Sequence, residues 1–287
     1  MEPRDAATVM IIRNQNNSDS GPIEVFMLKR SVNLDFVGGA YVFPGGAVDS
    51  ADIEVANDGA LSDSRSLFPS EFLRNGSDGL RFRVAAIREC FEEAGLMMAR
   101  RSGSSSLISL SSAADKLLFE AYRDALNRKE ISFEEILRAE GLLLATEEFY
   151  IFSHWITPRG AVRRYDTRFF LAAAPTDQVA YHDNYETVAN VWIEPLQAIK
   201  QHEAGEFDLI LPTVKNLEAI SGFANVKEAI EGALAFESIP VIMPRLIRDG
   251  TGTRILLPGD YGFGEADEKS LDPNVALPRS RGGPPIS

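Results

Sequence analysis

The chain has a single cysteine, Cys90, and only three histidines among its 287 residues. One cysteine excludes an internal disulfide and any Cys-x-x-Cys metal or redox site. The histidines have no metal-ligand spacing, so we assign them structural roles. We expect Cys90 to be chemically inert, because no histidine base accompanies it in the sequence.

Long apolar runs are also missing, since no stretch approaches the eighteen consecutive apolar residues of a membrane helix. We therefore expect no membrane partner. The residues after Met1 lead into a β-like run and not into a signal-peptide core. The segment Pro284 to Ser287 differs from a Ser-Lys-Leu-type peroxisomal address. These features together predict a cytoplasmic location.

Positive charge is scarce. The chain has 29 lysines and arginines against 42 aspartates and glutamates, a formal net charge of −13. Such a surface repels phosphate backbones, so we expect no nucleic-acid partner. A small anionic substrate remains compatible with this charge if carboxylates hold divalent cations at the site.

The pattern of apolar residues predicts an alternation of strands and helices in one large domain. Strands are predicted at 6–13, 23–29, 40–43, 149–156, 165–173 and 187–193. Helices are predicted at 80–100, 113–128, 132–139, 195–204, 213–223 and 226–236. The second and third of these helices would form a hairpin within about 111–140. We expect the domain to cover 1–247 and a C-terminal extension, ending in a mobile tail, to cover 248–287.

Three carboxylates dominate the first predicted helix. At about 100° per residue, Glu89, Glu92 and Glu93 share one face, while the apolar residues take the other face. Like charges at these spacings repel each other, so the helix gains from them only if a cation binds. Three carboxylates suit Mg²⁺ or Mn²⁺; the alternative is a solvated acidic face. The upstream pair Gly45 and Gly46 permits close approach to an anionic ligand, which favours the metal interpretation.

Gly46 and the run from Arg88 to Leu96, Arg-Glu-Cys-Phe-Glu-Glu-Ala-Gly-Leu, resemble the Nudix box. The box is interrupted here, because 35 residues separate Asp52 from Arg88 where the family pattern has seven, an insertion of 28 residues. Downstream, His-Trp-Ile-Thr-Pro at 154–158 and Arg-Arg-Tyr-Asp-Thr-Arg-Phe-Phe at 163–170 add to the likeness. The chain is thus similar to the long-insertion branch of Nudix hydrolases that includes peroxisomal coenzyme A diphosphatases.

This resemblance implies a Nudix α/β/α sandwich with a mixed sheet, an insertion at about 53–80 and extra C-terminal helices. It also implies metal-dependent hydrolysis of a nucleoside diphosphate linked to another moiety. Coenzyme A or acyl-coenzyme A is the leading substrate class, although Asp35 stands where the coenzyme A signature has an arginine. The alternatives are ADP-ribose, dinucleotide or nucleotide-sugar hydrolysis, and a non-catalytic nucleotide-binding regulator. The oligomeric state is open and includes a homodimer.

The resemblance also implies roles for individual residues. Glu89, Glu92 and Glu93 would bind the metal, and Arg88 would orient a glutamate, with Glu92 in reach at i+4. Substrate contacts would come from two loop glycines and three arginines: Gly45, Gly46, Arg30, Arg163 and Arg164.

Two roles stay open in the sequence. Asp52 either replaces the glutamate of the first half of the box or caps the insertion. The box does not fix the general base, for which the chain offers Glu147, Glu148, Asp183 and Glu186. The alternative for each is a solvated loop carboxylate. We favour Glu186, because it directly precedes a predicted strand.

Overall fold

The structure, a computed structural model, describes residues 2–17, 21–32, 38–62, 78–249, 252–260 and 263–264. The strands in these ranges are β1 Arg4–Asn14, β2 Ile23–Arg30, β3 Tyr41–Val42, β4 Gly45–Ala47, β5 Ala99–Arg101, β6 Leu142–Leu144, β7 Tyr150–Ile156, β8 Tyr165–Ala173, β9 Thr187–Ile193, β10 Val241–Ile242, β11 Arg245–Asp249 and β12 Gly252–Leu256. The α-helices are α1 Ser50–Asn57, α2 Asp78–Ala94, α3 Ala113–Asn127, α4 Phe133–Ala139, α5 Pro195–Glu203, α6 Leu211–Ile220 and α7 Val226–Leu234.

A mixed sheet of eight strands forms the centre of the molecule. Its order is β10-β7-β8-β1-β2-β3, with β4 added to β1 and β9 added to β2. The pairs β1–β8 and β7–β10 are parallel and the others are antiparallel. Strands β5 and β6, and likewise β11 and β12, form two separate antiparallel pairs.

Helices cover both faces of the sheet. Strand β1 alternates, so that Val9 and Ile11 enter one core while Met10 and Ile12 enter the other. The first core contains buried residues of α1 to α4, and the second contains those of α5 to α7. The α/β/α sandwich predicted from the sequence is therefore confirmed.

The predicted helix at 80–100 is wrong beyond residue 94. Helix α2 ends at Ala94, and strand β5 begins at Ala99. Gly95 has a φ of +71° and donates its N–H to the carbonyl of Phe91, while Leu96 donates to that of Cys90. The positive φ of Gly95 and its bond to Phe91 are typical of a helix that ends at a left-handed glycine, which apolar periodicity alone does not predict.

The insertion expected at about 53–80 begins inside helix α1 and ends in the first turn of α2, and residues 63–77 lie outside the described ranges. At the other end, the boundary expected at 247 falls inside β11, which pairs with β12. The expected mobile tail also lies outside the described ranges. Among the helices that the structure describes, none has both the length and the apolar character needed to cross a membrane.

Candidate active site

Helix α2 packs against the sheet beside the start of β1 and the short strand β4. Its apolar side is fully buried, including Val84, Ile87 and Phe91. The other side carries Glu89 and Glu93, which are largely buried, and Glu92, whose side chain is 21% exposed. The acidic side of the helix is therefore not a solvated surface, because it faces β4 and the start of α1.

Arg88 organises this side of α2 through five hydrogen bonds. Its Nη1 donates to Glu89 Oε1 at 2.9 Å and to Glu92 Oε2 at 3.2 Å. Its Nη2 donates to the carbonyl of Ala47 and to Asp52 Oδ2, both at 3.0 Å, and its Nε donates to Asp52 Oδ1 at 2.8 Å. A guanidinium has five N–H groups, so Arg88 uses its full donor capacity. The contact with Glu92 predicted from the sequence is present.

Asp52 caps the start of α1 and pairs with Arg88, while its replacement of the box glutamate stays a prediction. It lies in the first turn of α1, where Oδ2 accepts the N–H of Asp49 at 2.8 Å. The same carboxylate accepts the paired hydrogen bonds from Arg88, and its side chain is 1% exposed. The residue that begins the insertion is thus also the carboxylate that anchors Arg88 across a gap of 35 residues in sequence.

The two glycines of β4 lie directly against the glutamates of α2. The N–H of Gly45 donates to Glu93 Oε2 at 2.9 Å. A Cβ on Gly46 would lie 2.2 Å from Glu89 Oε1, and one on Gly45 would lie 2.5 Å from the carbonyl oxygen of Ala7. Both positions therefore require glycine for close approach. Their predicted contact with a pyrophosphate stays a prediction.

The electrostatics of the three glutamates reflect their burial. Burial raises the pKa of Glu89 to about 8, with a further upward effect from the carboxylates of Glu92 and Asp52 and an opposing effect from Arg88. Burial also raises the pKa of Glu92. The pKa of Glu93 is raised well above its ordinary value, by burial first and then by the charge of Glu89. In the absence of a cation, these glutamates therefore retain their protons to a higher pH than exposed glutamates do.

The donor chemistry of this site fits a divalent cation. Three carboxylates, whose mutual repulsion a cation would relieve, project from little more than one turn of helix. Across the described part of the chain, no three Asp, Glu, His or Cys side chains are already gathered as a metal-binding group. Glu89 and Glu92 instead turn towards Arg88, and Glu93 turns towards the N–H of Gly45.

Arg30 and Glu186 join the site from β2 and from the segment before β9. Arg30 Nη2 lies 3.5 Å from Glu186 Oε2, and both charges influence the pKa of Glu93. The side chain of Glu186 is 57% exposed and that of Arg30 is 17% exposed. Arg30 Nε is buried and has no hydrogen-bond partner among the described residues. A buried guanidinium N–H without an acceptor is suited to an incoming phosphate oxygen.

The other three candidates for the general base have different partners. Glu147 and Glu148 form ion pairs with Arg100 of β5. Asp183 is buried and accepts hydrogen bonds from the backbone N–H groups of Tyr185, Glu186 and Thr187 and from the hydroxyl of Thr187. Asp183 therefore shapes the turn that presents Glu186.

Arg164 contacts the loop between β7 and β8. Its Nε donates to the carbonyls of Thr157 and Pro158, in the loop before β8. Strand β8 begins in register with Arg4 of β1, whereas Gly45 pairs with Thr8, four residues further along the same strand. Arg163 lies exposed in the same loop as Arg164. Asp35 lies outside the described ranges.

Two residues of α3 that the sequence analysis missed contact the end of α2. Arg123 is 3% exposed, and its Nε donates to the carbonyl of Glu92 at 2.8 Å. Asn127 Nδ2 donates to the same carbonyl at 3.4 Å. One signal was available in the sequence, since Arg123 falls within the apolar stripe formed by Phe119 and Leu126. A charged residue in such a stripe needs a buried partner.

Comparison with known proteins places this geometry in a family. The model of the NUDT19 Nudix domain matches residues 57–220, more than half of the chain. The acyl-coenzyme A diphosphatase NUDT19 of Gallus gallus is 29% identical over 96% of this chain and 83% of that protein. The protein of the same name from Homo sapiens is 28% identical over 82% of this chain and 71% of its own length.

A solved structure shares the fold. The crystal structure of a Nudix hydrolase from Alicyclobacillus acidocaldarius superposes with a TM-score of 0.66 at 24% sequence identity. The match covers 84% of this chain and 99% of that one. The family match and the curated relatives together show that the chain belongs to the NUDT19 Nudix domain family and is a Nudix hydrolase.

Proposed function

We propose that this protein hydrolyses the pyrophosphate bond of coenzyme A or acyl-coenzyme A with the help of Mg²⁺ or Mn²⁺. The observation that carries the proposal is the cluster of three glutamates beside Gly45 and Gly46. Arg88 holds Glu89 and Glu92, and the N–H of Gly45 holds Glu93. The substrate class is supported by the NUDT19 relatives, which are named acyl-coenzyme A diphosphatases.

In the proposed reaction, one water molecule adds to a phosphorus of the pyrophosphate and the bridging P–O bond breaks. Coenzyme A would give adenosine 3′,5′-bisphosphate and 4′-phosphopantetheine. The divalent cation, held by Glu89, Glu92 and Glu93, would neutralise phosphate charge and lower the pKa of water. Arg88 keeps Glu89 and Glu92 in place, because it is itself anchored to Asp52.

Two residues beside the cluster would act on the substrate and the water. Arg30 has a buried Nε–H available for a phosphate oxygen. Glu186 lies beside Arg30, is largely exposed and affects the charge state of Glu93, which suits a base that accepts a proton from water. Arg163 and Arg164 would be further phosphate contacts, as predicted from the sequence, and they lie in the loop that leads into β8.

The alternative substrates are ADP-ribose, dinucleotides and nucleotide sugars, and the alternative of another class is a regulator that binds a nucleotide without hydrolysing it. The presence of all three glutamates of the helix favours an enzyme. The cytoplasmic location stays a prediction, and the oligomeric state stays open.

The test is a panel assay with coenzyme A, acyl-coenzyme A, ADP-ribose, NAD and a nucleotide sugar, with Mg²⁺, Mn²⁺ or a chelator. Chromatography would detect the two phosphomonoester products. We expect metal-dependent cleavage of coenzyme A or its acyl esters, and no cleavage by Glu93→Gln. Cleavage of another panel member alone would support pyrophosphate hydrolysis but contradict coenzyme A as the substrate. A nucleotide that raises the melting temperature without being cleaved would favour the regulator.

The Glu93→Gln control separates a catalytic role from a structural one. Glu93 is a buried carboxylate with a raised pKa, so a neutral glutamine of the same shape relieves repulsion in the metal-free protein. We expect the melting temperature without metal to stay constant or to rise, while Mg²⁺ loses its stabilising effect. A large drop in the metal-free melting temperature would indicate that the carboxylate is structural.

A further inference from the structure

The C-terminal end of α2 is held by residues from two other parts of the chain. The last turn of a helix leaves carbonyl groups without partners inside the helix. Here the carbonyls of Cys90 and Phe91 accept from Leu96 and Gly95, and that of Ala94 accepts from the N–H of Tyr181 at 3.0 Å. The carbonyl of Glu92 accepts hydrogen bonds from Arg123 and Asn127 of α3.

Arg123 connects three elements with one guanidinium. Its Nε donates to the carbonyl of Glu92 at 2.8 Å, and its Nη2 donates to the carbonyl of Tyr181 at 2.9 Å. Its Nη1 would lie only 3.0 Å from a Cβ on Gly95, and the guanidinium carbon lies 4.6 Å from the centre of the Tyr181 ring. A cation at the C-terminal end of a helix is also stabilising, because it interacts favourably with the negative end of the helix dipole.

The two carbonyls that Arg123 links belong to the two halves of the candidate site. The carbonyl of Glu92 is part of the helix turn that projects Glu92 and Glu93. Tyr181 lies two residues before Asp183, the buried residue whose carboxylate orders the turn carrying Glu186. The distance between the glutamates of α2 and Glu186 is therefore set partly through Arg123.

We propose that Arg123 is a positioning residue, which fixes the end of α2 relative to the segment 181–187 and so holds Glu92 and Glu93 in a geometry that binds the metal. In this role it acts through the carbonyls of Glu92 and Tyr181 and not as a metal ligand. This inference rests on the proposed function, because that function assigns Glu92 and Glu93 as metal ligands. A residue that supports ligands in this way affects metal affinity and turnover more than it affects substrate affinity.

The test uses Arg123→Lys, which keeps the charge but loses the planar fork that reaches both carbonyls. Its matched control is Arg83→Lys. Arg83 is also buried, lies on α2 itself, and donates its Nε–H to a backbone carbonyl, that of Phe149, at 3.1 Å. Arg83 precedes Glu92 by nine residues, about 13 Å along the helix axis. Its substitution therefore shows the effect of losing a buried arginine that lies away from Glu92 and Glu93.

For each variant we would measure the melting temperature, Mn²⁺ binding by electron paramagnetic resonance, and kcat and KM with Mg²⁺. We expect Arg123→Lys to bind Mn²⁺ about tenfold more weakly and to lose a similar factor in kcat, with a smaller change in KM. Arg83→Lys should lose a similar amount of thermal stability but bind Mn²⁺ like the wild type. Wild-type Mn²⁺ affinity and kcat in folded Arg123→Lys, or equal losses in both variants, would overturn the proposal.

If Arg123→Lys does not fold, Asn127→Ala tests whether contacts to the carbonyl of Glu92 affect metal binding. It removes only the second donor to the carbonyl of Glu92, so we expect a smaller loss of Mn²⁺ affinity in a stable protein. Unchanged affinity in Asn127→Ala would then count against the proposal. A wild-type protein that neither binds Mn²⁺ nor cleaves any substrate would instead refute the proposed function, which keeps the two failures distinct.

Discussion

Arg88 and Asp52 form a paired ion contact in the interior of the protein, with Nε–Oδ1 and Nη2–Oδ2 distances of 2.8 and 3.0 Å. The side chains are 10% and 1% exposed. Two parallel N–H to oxygen contacts of this kind are strong and fix the plane of the guanidinium. This plane directs the remaining N–H groups of Arg88 towards Glu89 and Glu92.

Replacing Asp52 by alanine should therefore lower both stability and activity. The change removes the partner of a buried cation, and such a loss costs about 3–5 kcal/mol. We expect urea denaturation to show a decrease of about 3 kcal/mol in the free energy of unfolding, because Arg88 keeps its other acceptors. Metal-dependent hydrolysis should fall as well, since Arg88 no longer holds Glu89 and Glu92.

Asp58→Ala is a suitable control for this change. Asp58 also pairs with an arginine, Arg138, but the contact lies at the surface. Surface ion pairs contribute little, so activity and stability should stay near the wild-type values. Equal effects of the two substitutions would show that the Arg88–Asp52 contact has no special role.

The neighbouring glycines offer a second prediction, because a Cβ at each would meet a different kind of atom. On Gly45 it would approach the backbone of β1, at 2.5 Å from the carbonyl oxygen of Ala7. Gly45→Ala should therefore cost stability, about 1–3 kcal/mol by analogy with overpacked cores. On Gly46 it would approach the carboxylate of Glu89, the movable end of a side chain.

Gly46→Ala should consequently fold but lose activity. Displacing Glu89 by about 1 Å would disturb a metal ligand, and misplacement of this size can cost about a hundredfold in rate. Thermal denaturation and the coenzyme A assay, run on both variants, check the contrast. A Gly46→Ala protein with wild-type turnover would mean that Glu89 need not occupy its present position.

The sequence predicted the residues and strands of this candidate site better than the contacts between them. The box motif identified Arg88, Glu89, Glu92 and Glu93, and the strands at 165–173 and 187–193 have the predicted ends. Apolar periodicity and motif spacing are local signals, which explains this success. The contacts of Asp52 with Arg88 and of Arg123 with Glu92 join residues 36 and 31 positions apart. Such contacts depend on tertiary packing and leave no period in the sequence.

The end of α2 shows the same limit on a smaller scale. Apolar residues continue with helical spacing to Met98, which is buried, but Gly95 ends the helix before it. Met98 lies in the connection between α2 and β5, and its apolar character suits a buried connection as well as a buried helix. The hydrogen bonds that decide the end come from the backbone and from Arg123.

The raised pKa of Glu89 leads to a prediction about pH. Between its ordinary value of 4.5 and its folded value of about 8, the folded state binds a proton that the unfolded state has released. Stability without metal should therefore fall as the pH rises through this window, by up to about 1.4 kcal/mol per pH unit for one proton. Divalent cations bind the deprotonated carboxylates, so their affinity should increase over the same range.

Melting temperatures measured from pH 5 to 8.5, with a chelator and with Mg²⁺, test the direction of this pH dependence. The stabilisation by Mg²⁺ should grow with pH in the wild type. In Glu89→Gln, the metal-free profile should be flatter, because that proton no longer binds. A metal-free protein that gains stability as the pH rises from 5 to 8 would contradict the assignment.

The last prediction concerns the proton acceptor, for which the structure offers a matched pair of carboxylates. Glu186 lies beside Arg30 and influences Glu93, whereas Glu148 pairs with Arg100 of β5. If Glu186 accepts the proton of the attacking water, Glu186→Gln should lower kcat by about 10²–10⁴ and leave KM nearly constant. Glu148→Gln removes an equivalent charge elsewhere and should leave kcat unchanged.

Mn²⁺ binding separates a base from a metal ligand in the same experiment. Glu186→Gln should keep the Mn²⁺ affinity of the wild type, since Glu89, Glu92 and Glu93 are intact. Its pH–rate profile should also lose the limb that reports deprotonation of the base. A variant that loses Mn²⁺ affinity together with kcat would identify Glu186 as a ligand. Normal kcat in Glu186→Gln would mean that another group accepts the proton. The carboxylate of Glu186, on the turn held by Asp183, would then take no part in the reaction.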